Sequence, residues 1–269
     1  MIDGFLPSQA MEPEIRSAAR FIETCEGTVS MATETAELRS KRRTHHHVVI
    51  ALVAVIVVFV GFSPTFYLNS YFQQRDLDAL RIVHGIAFSL WPLMLAIQVF
   101  LAKIGRADLH RRFGPFGAVL AIVMVLLGTA LALHAGRLGF QTPGVPPAAV
   151  FLVVPIFDMA VFATLVSAAI VLRNRREDHW RLMVLATLSI LPAAFVRIPI
   201  LGLADPIVKA FAPAFALLLA CVARDFVIVR RLHGAWVWGG LLFVLSVPLR
   251  LAIAGTTAWQ NFAGWLIGP

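Results

Sequence analysis

The residues of this 269-residue chain that could do chemistry are eight histidines and a few charges set inside apolar runs. His84 and His134 lie near the same end of consecutive apolar runs, so their rings are expected at similar depth. Two neutral imidazoles facing one another can ligate haem iron from both axial sides, or hold a metal. His110 and His179 make a second such pair at the other end. The spacing opposes two buried haems: His110 and His134 are 24 residues apart on one run, or ~36 Å at the helical rise, more than the ~30 Å of a hydrocarbon core. That leaves two readings for His84 and His134, a single b-type haem or ordinary hydrogen bonding between helices. His110, His179 and His233 read as interfacial anchors. The run His45-His46-His47 cannot place three adjacent side chains on one helix face, so it reads as boundary decoration.

The charges inside the runs are Asp158, Arg197 and Arg250. At the helical rise Asp158 sits about 15 Å from one end of its run, and the two arginines about 9 Å in from the same side. A charge at the centre of a helix in lipid costs at least ~2.5–3.5 kcal/mol, so it faces the interior and has a partner. Asp158 pairs with Arg197 or with Arg250, and one arginine is left over. The leftover cation, near His84 and His134, suits an anion: a carboxylate, a phosphate or a haem propionate. Against this stands the reading in which both arginines snorkel to the interface. Asp225 beside Arg224 reads as a boundary ion pair. Pro92, Pro155, Pro192, Pro213 and Pro248 fall inside runs, where each removes a donor and kinks the helix, and several kinks around one polar cluster make a cavity.

The elements that must position these residues follow from composition. The chain is 59% hydrophobic and 14% charged, with a mean hydropathy of +0.82; soluble domains carry roughly 25% charged residues. A soluble globular enzyme and a disordered chain are both excluded. Seven apolar runs occur, at 48–65, 82–102, 115–135, 148–172, 182–203, 207–228 and 236–256. Each is long enough to cross the hydrocarbon, and no period-2 pattern supports a barrel. The expected fold is all-α, a polytopic membrane bundle of seven transmembrane helices. Residues 1–43 form a polar, disordered cytoplasmic tail, and 44–269 the membrane domain. Met31 offers a second start beside Met1, and the tail does not read as a signal peptide.

Orientation follows from lysine and arginine. Arg39, Lys41, Arg42 and Arg43, then Lys103 to Arg112, Arg173 to Arg181, and Arg230 with Arg231 mark alternate connections, while the others carry few. The rule that basic loops stay inside places the N-terminus inside and the C-terminus outside. Trp180, Trp236 and Trp238 then fall at the inner boundary, and Tyr67, Tyr71, Trp259 and Trp265 at the outer one. The excess of 23 basic over 15 acidic residues points to anionic lipid headgroups, met by His110, Arg111, Arg112, His179 and Arg181. No basic–aromatic ribbon suggests nucleic acid.

His84, Gln98, HRRFG at 110–114, Asp158, HWRLM at 179–183 and PAAFVR at 192–197 together carry a resemblance. Over residues 80–265 the chain resembles a family of uncharacterised bacterial multi-pass inner-membrane proteins. The resemblance implies location in a bacterial inner membrane and topology, with no chemistry. A looser similarity runs to the b-type di-haem membrane cytochromes, from whose histidine pattern the spacing above departs.

Phosphate-loop, nucleophile-elbow, H-E-x-x-H and dinucleotide motifs are missing, which leans away from an enzyme. The last run has no lysine for a retinal Schiff base. Cys25 and Cys221 form no C-x-x-C and imply no disulfide framework. Three functions remain in view. The first binds or transports a small anionic or amphiphilic ligand in an outer-half pocket of Asp158, Arg197, Arg250, His84 and His134. The second carries electrons on a haem held by His84 and His134. The third is an assembly subunit without a ligand.

Overall fold

The computed structural model describes residues 17, 21, 47–72, 76–139, 146–198 and 203–268. The chain divides into two units, Met1–His46 and His47–Pro269. Of the first, only Ser17 and Phe21 are described, both helical and exposed; the rest of the expected tail, with His45 and His46, lies outside the described residues.

Every regular element described in the second unit is helical. Six helices are long and apolar enough to cross a membrane: α1 (His47–Tyr67), α2 (Ala79–Lys103), α3 (Ala107–Leu138), α4 (Ala148–Val171), α7 (Pro206–Val229) and α8 (Gly234–Ala254). Between α4 and α7 lie α5 (Arg176–Ile190) and the single-turn α6 (Pro192–Phe195). After α8 comes α9 (Thr257–Ile267). Side chains set the helix starts. Asp78 caps α2 by accepting from the Arg81 N–H at 2.8 Å, and Asp205 caps α7 from Val208 at 2.9 Å. Thr256 caps α9 from Trp259 at 3.2 Å. Each satisfies one of the donors a helix start leaves free.

The fifth expected run, 182–203, is not one long helix. Its helix begins earlier, on the polar Arg176-Glu177-Asp178, and stops at Ile190. Pro192 brings no N–H to that turn, and the Leu188 carbonyl takes the Leu191 N–H instead, at 3.3 Å. Helix α6 restarts with Pro192 as its first residue, a position that needs no donor. Residues 199–202 lie outside the described residues. Pro155 acts similarly near the start of α4, which is interrupted at Leu152. Pro92, Pro213 and Pro248 sit inside unbroken helices.

Helix α5 is the centre of the bundle. Leu182, Val184, Leu185, Ala186, Thr187, Leu188 and Ser189 are consecutive but for Met183, and all are buried. It packs on α4, α7 and α8, and Thr187 accepts from the Trp91 indole of α2 at 3.0 Å. Buried all round, it has no polar face for a hydrophobic period to reveal. Helix α1 runs beside α5 and α6 in the same direction: the His47 ring lies tilted against Trp180 with centroids 4.1 Å apart, and Gly61 abuts Ala194. Both segments advance 14 residues between those contacts, about 21 Å at the helical rise.

The outward faces are apolar. On α2, Ile82, Ile86, Leu90, Leu93, Ile97 and Phe100 recur at helical spacing and are all exposed. Arg181, Arg250, Asp225, Thr187 and Ser246 are buried instead. An apolar exterior around a charged interior is what lipid requires.

The contact between α1 and α6 yields a test. A Cβ at Gly61 would lie 2.5 Å from the Ala194 carbonyl oxygen, whereas one at Gly114 meets nothing within 4 Å. Gly61→Ala should destabilise the protein by about 1–3 kcal/mol, and Gly114→Ala should be neutral or slightly stabilising. Unfolding in detergent micelles measures both.

Candidate functional site

Helices α1 to α6 border a half-open cavity of about 580 Å³. Its wall includes Phe62 and Phe66 of α1, His84 and Phe88 of α2, Gly128 of α3 and Asp158 of α4. Arg197, which is exposed, lines it just beyond α6. Both proline breaks border it, through Pro155 and through Ile190 and Ala193. Three of the five expected site residues, His84, Asp158 and Arg197, thus share one space.

Asp158 chooses between the two arginines. Its Oδ1 accepts from the Arg250 NH1 at 2.6 Å, and Arg250 is 1% exposed. Arg250 is satisfied on all sides. Its Nε donates to the Ser246 carbonyl at 3.1 Å and its NH2 to the Ser246 hydroxyl at 2.9 Å. Phe157 and Phe211 lie 5.8 and 5.2 Å from the guanidinium carbon. It stands behind Asp158 and fixes it, and is not part of the cavity wall. Arg197 is the arginine left over. It donates to the Ala193 carbonyl and lies 4.6 Å over the Phe62 ring. Among the described residues no carboxylate forms an ion pair with it.

His84 and His134 are not brought together. His84 stacks on Phe88 with centroids 4.0 Å apart, approaches the Leu127 backbone, and has a buried Nδ1 without a hydrogen-bond partner. His134 instead reaches Asp78 at 3.3 Å, the acid that also holds Arg81. The Arg81 N–H, then its guanidinium, hold Asp78 below the ordinary carboxylate value. Leu127 and His134 are seven residues apart on α3, roughly 10 Å at the helical rise. The expectation of equal depth fails because Leu127, not His134, is level with His84 on α3, while His134 is level with Asp78, six residues before His84. Two axial imidazoles must reach one iron, and this pair lies on different levels, so the residues do not fit a haem between them.

Sequence reasoning missed part of the cavity wall: Asn69, Asp76, Arg81 and Ser89. Ser89 shares a 2.6 Å hydrogen bond with Tyr67. The Asp78-x-x-Arg81 cap was the available signal for this rim.

The arginine-rich end holds a second polar layer. His110 and His179 do meet, with centroids 6.4 Å apart, each with its Nδ1 on a backbone carbonyl, Gln98 at 3.3 Å and Ala169 at 2.7 Å. Arg111 and Arg112 are exposed. Arg181, expected at lipid headgroups, is 0% exposed. Its Nε donates to Asp225 at 2.9 Å and its NH1 to Glu177 at 2.8 Å, and the Trp236 indole donates to the same Asp225 oxygen at 2.9 Å. Asp225 therefore does not serve Arg224: neighbours in sequence point to different sides of a helix, and Asp225 faces inward to α5.

Comparison with protein-family models, with curated proteins and with solved structures finds no match for this chain.

Two outcomes test this layer. Asp225→Leu leaves Arg181 buried with only the part-exposed Glu177; breaking such a pair costs about 3–5 kcal/mol, and the Arg181→Leu, Asp225→Leu double variant should recover most of it. Chemical unfolding in detergent reads both. His233 caps α8 as a neutral ring, its Nδ1 accepting from Ala235 at 3.3 Å. Burial first, then the charge of Arg181, push it below its ordinary 6.5. The unfolded chain then takes up the proton more readily, so stability is complete above 6.5 and declines as pH falls below it. Tm measured from pH 7.5 to 5.5 should drop, and His233→Asn, a cap that does not titrate, should drop less.

Proposed function

We propose that the chain is a multi-pass integral membrane protein that binds or transports a small anionic or amphiphilic molecule in the cavity between α1, α2, α4 and α6. One observation carries the reading: Arg197, itself exposed, lines a half-open cavity, and no carboxylate among the described residues forms an ion pair with it. Arg250 and Asp158 cancel one another, so the positive charge of Arg197 is left to a ligand. Aromatic rings of Phe62, Phe66 and Phe88 supply the apolar part of the wall. Most small-molecule sites combine such a wall with a few placed polar groups.

The same reading takes the membrane domain as seven crossings. The parallel course of α1 and α5–α6 over equal lengths supports counting α5 with α6 as the fifth, a discontinuous helix of the sort that lines binding sites in transporters. With seven crossings the basic connections share one side, and the reading puts the N-terminus on the inner side of the membrane, proposed as a bacterial inner membrane, and the C-terminus on the outer side. Exposed Arg111 and Arg112 then lie at anionic headgroups.

Thermal unfolding in lipid nanodiscs tests the ligand reading. A bound anion at 100 times its Kd stabilises by ~2.7 kcal/mol. Phosphate, propionate and 3-phenylpropionate should be titrated, and at least one should raise Tm. Arg197→Gln should abolish the rise. A flat Tm across all three at millimolar concentration removes the anion site.

A further inference from the structure

We infer that α9 is an interfacial helix: it lies flat at the end of the bundle opposite the arginine-rich one and sinks one face into the boundary between lipid headgroups and acyl chains. The inference rests on the reading of the chain as a membrane protein and is independent of the anion site. With 11 residues, or ~17 Å at the helical rise, α9 is too short to cross ~30 Å of hydrocarbon. Its contacts run across the bundle end. In its first turn the Trp259 indole donates at 2.9 Å to the carbonyl of Ala149, the second residue of α4. In its last turn Ile267 meets Gly136, where a Cβ would lie 2.8 Å from the Ile267 side chain. Gly136 is in the last turn of α3, which ends at Leu138. Helix α8 ends at Ala254, just before Thr257 opens α9. Both ends of α9 therefore touch one level of the bundle.

Turning about 100° per residue, α9 sorts its side chains into three faces. Trp259, Ala263, Leu266 and Ile267 pack on Ala132, Leu152 and their neighbours. Ala258, Phe262 and Trp265 form a second face, apolar and exposed; Phe262 and Trp265 are 49% and 76% exposed, with ring centroids 6.1 Å apart. Thr257, Gln260 and Asn261 form the third, polar and exposed. Water around the whole helix would leave the aromatic stripe without an apolar neighbour. Hydrocarbon around it would leave the amides of Gln260 and Asn261 without water. A helix in the plane of the interface serves both faces at once, at the depth where tryptophan is enriched. Charge identifies the lipid chemistry. Residues 251–269 contain no Asp, Glu, Lys, Arg or His, so nothing on α9 selects an anionic headgroup. The partner is the acyl boundary of any phospholipid, in contrast to the arginine-rich end.

Nitroxide scanning of the full chain in nanodiscs tests this, on a Cys25→Ser, Cys221→Ala background. Labels are placed through Ala258→Cys, Phe262→Cys and Trp265→Cys on one face and Thr257→Cys, Gln260→Cys and Asn261→Cys on the other. Ile86→Cys, on the exposed apolar stripe of α2, is the reference. All seven positions are exposed, so the labels leave the core intact. Power saturation compares collision with oxygen, which concentrates in lipid, and with a nickel chelate confined to water. The logarithm of the oxygen-to-chelate ratio should be positive on the apolar face, negative on the polar face and most positive at Ile86. The pattern should be the same in phosphatidylcholine alone and with phosphatidylglycerol added. Negative values on both faces put α9 in water and overturn the inference; positive values on both put it inside the hydrocarbon and overturn it equally. Stripe labels shielded from both reagents mean that a second copy or another protein covers the stripe, which removes lipid as its partner. A stripe that enters lipid only with phosphatidylglycerol present overturns the uncharged boundary. A negative value at Ile86 brings down the membrane reading itself, and the placement of α9 with it.

Discussion

Arg250 can lie buried in the bundle only because Asp158 meets it there. Neither charge could enter a hydrocarbon-filled interior alone, and the rest of the architecture answers to that pairing. It ties α4 to α8. It draws Arg250 out of the cavity wall and leaves Arg197 as the cation that faces the space. The second buried pair, Arg181 with Asp225, ties α5 to α7 at the arginine-rich end in the same way. Between the two pairs α5 is wholly apolar apart from Thr187 and Ser189, whose hydroxyls return to backbone carbonyls of their own helix. The centre of the molecule is thus an apolar rod held at two levels by ion pairs.

The cavity is a product of interrupted backbone. Where Pro155 and Pro192 withhold a donor, the helices break or tighten, and both breaks lie on the cavity wall. Pro92, Pro213 and Pro248 do not open their helices, so proline alone is insufficient. The distinction is local: each effective proline lies within four residues of a helix start or restart, where few neighbouring turns hold the axis straight.

Much of this was legible in the sequence. Six of seven apolar runs became helices because their outward faces must meet lipid, and an exposed apolar stripe writes itself into sequence. Asp158 was legible because a short acid at mid-depth cannot reach water, and its choice of Arg250 was one of two pairings the spacing allowed. The His110 and His179 pair was legible from their places at the same end of their apolar runs. The rest failed for physical reasons. Helix α5 is enclosed on every side, so it carries no face to read, and its polar first turn hides its start. Depth counted from the ends of apolar runs misplaced His84 against His134, since the end of a run does not mark a common level on two packed helices. Asp225 was assigned to its chain neighbour, when a helix turns adjacent residues about 100° apart and sends this one inward.

The pair that organises the bundle is also distant along the chain: Asp158 and Arg250 are 92 residues apart. A ribosome adding 5–20 residues per second needs roughly 5–20 s to make that interval. Helix α4 is therefore synthesised well before the cation that neutralises its acid, and α1, α2 and α3 well before the helix that closes the core. Helix α1 buries Ile50, Ala51, Ala54, Val58 and Gly61 against its later neighbours, a surface that lipid solvates without penalty. Helix α4 has no such freedom, and its lodging until α8 arrives falls to the insertion machinery or to the polar groups of α2 already in place.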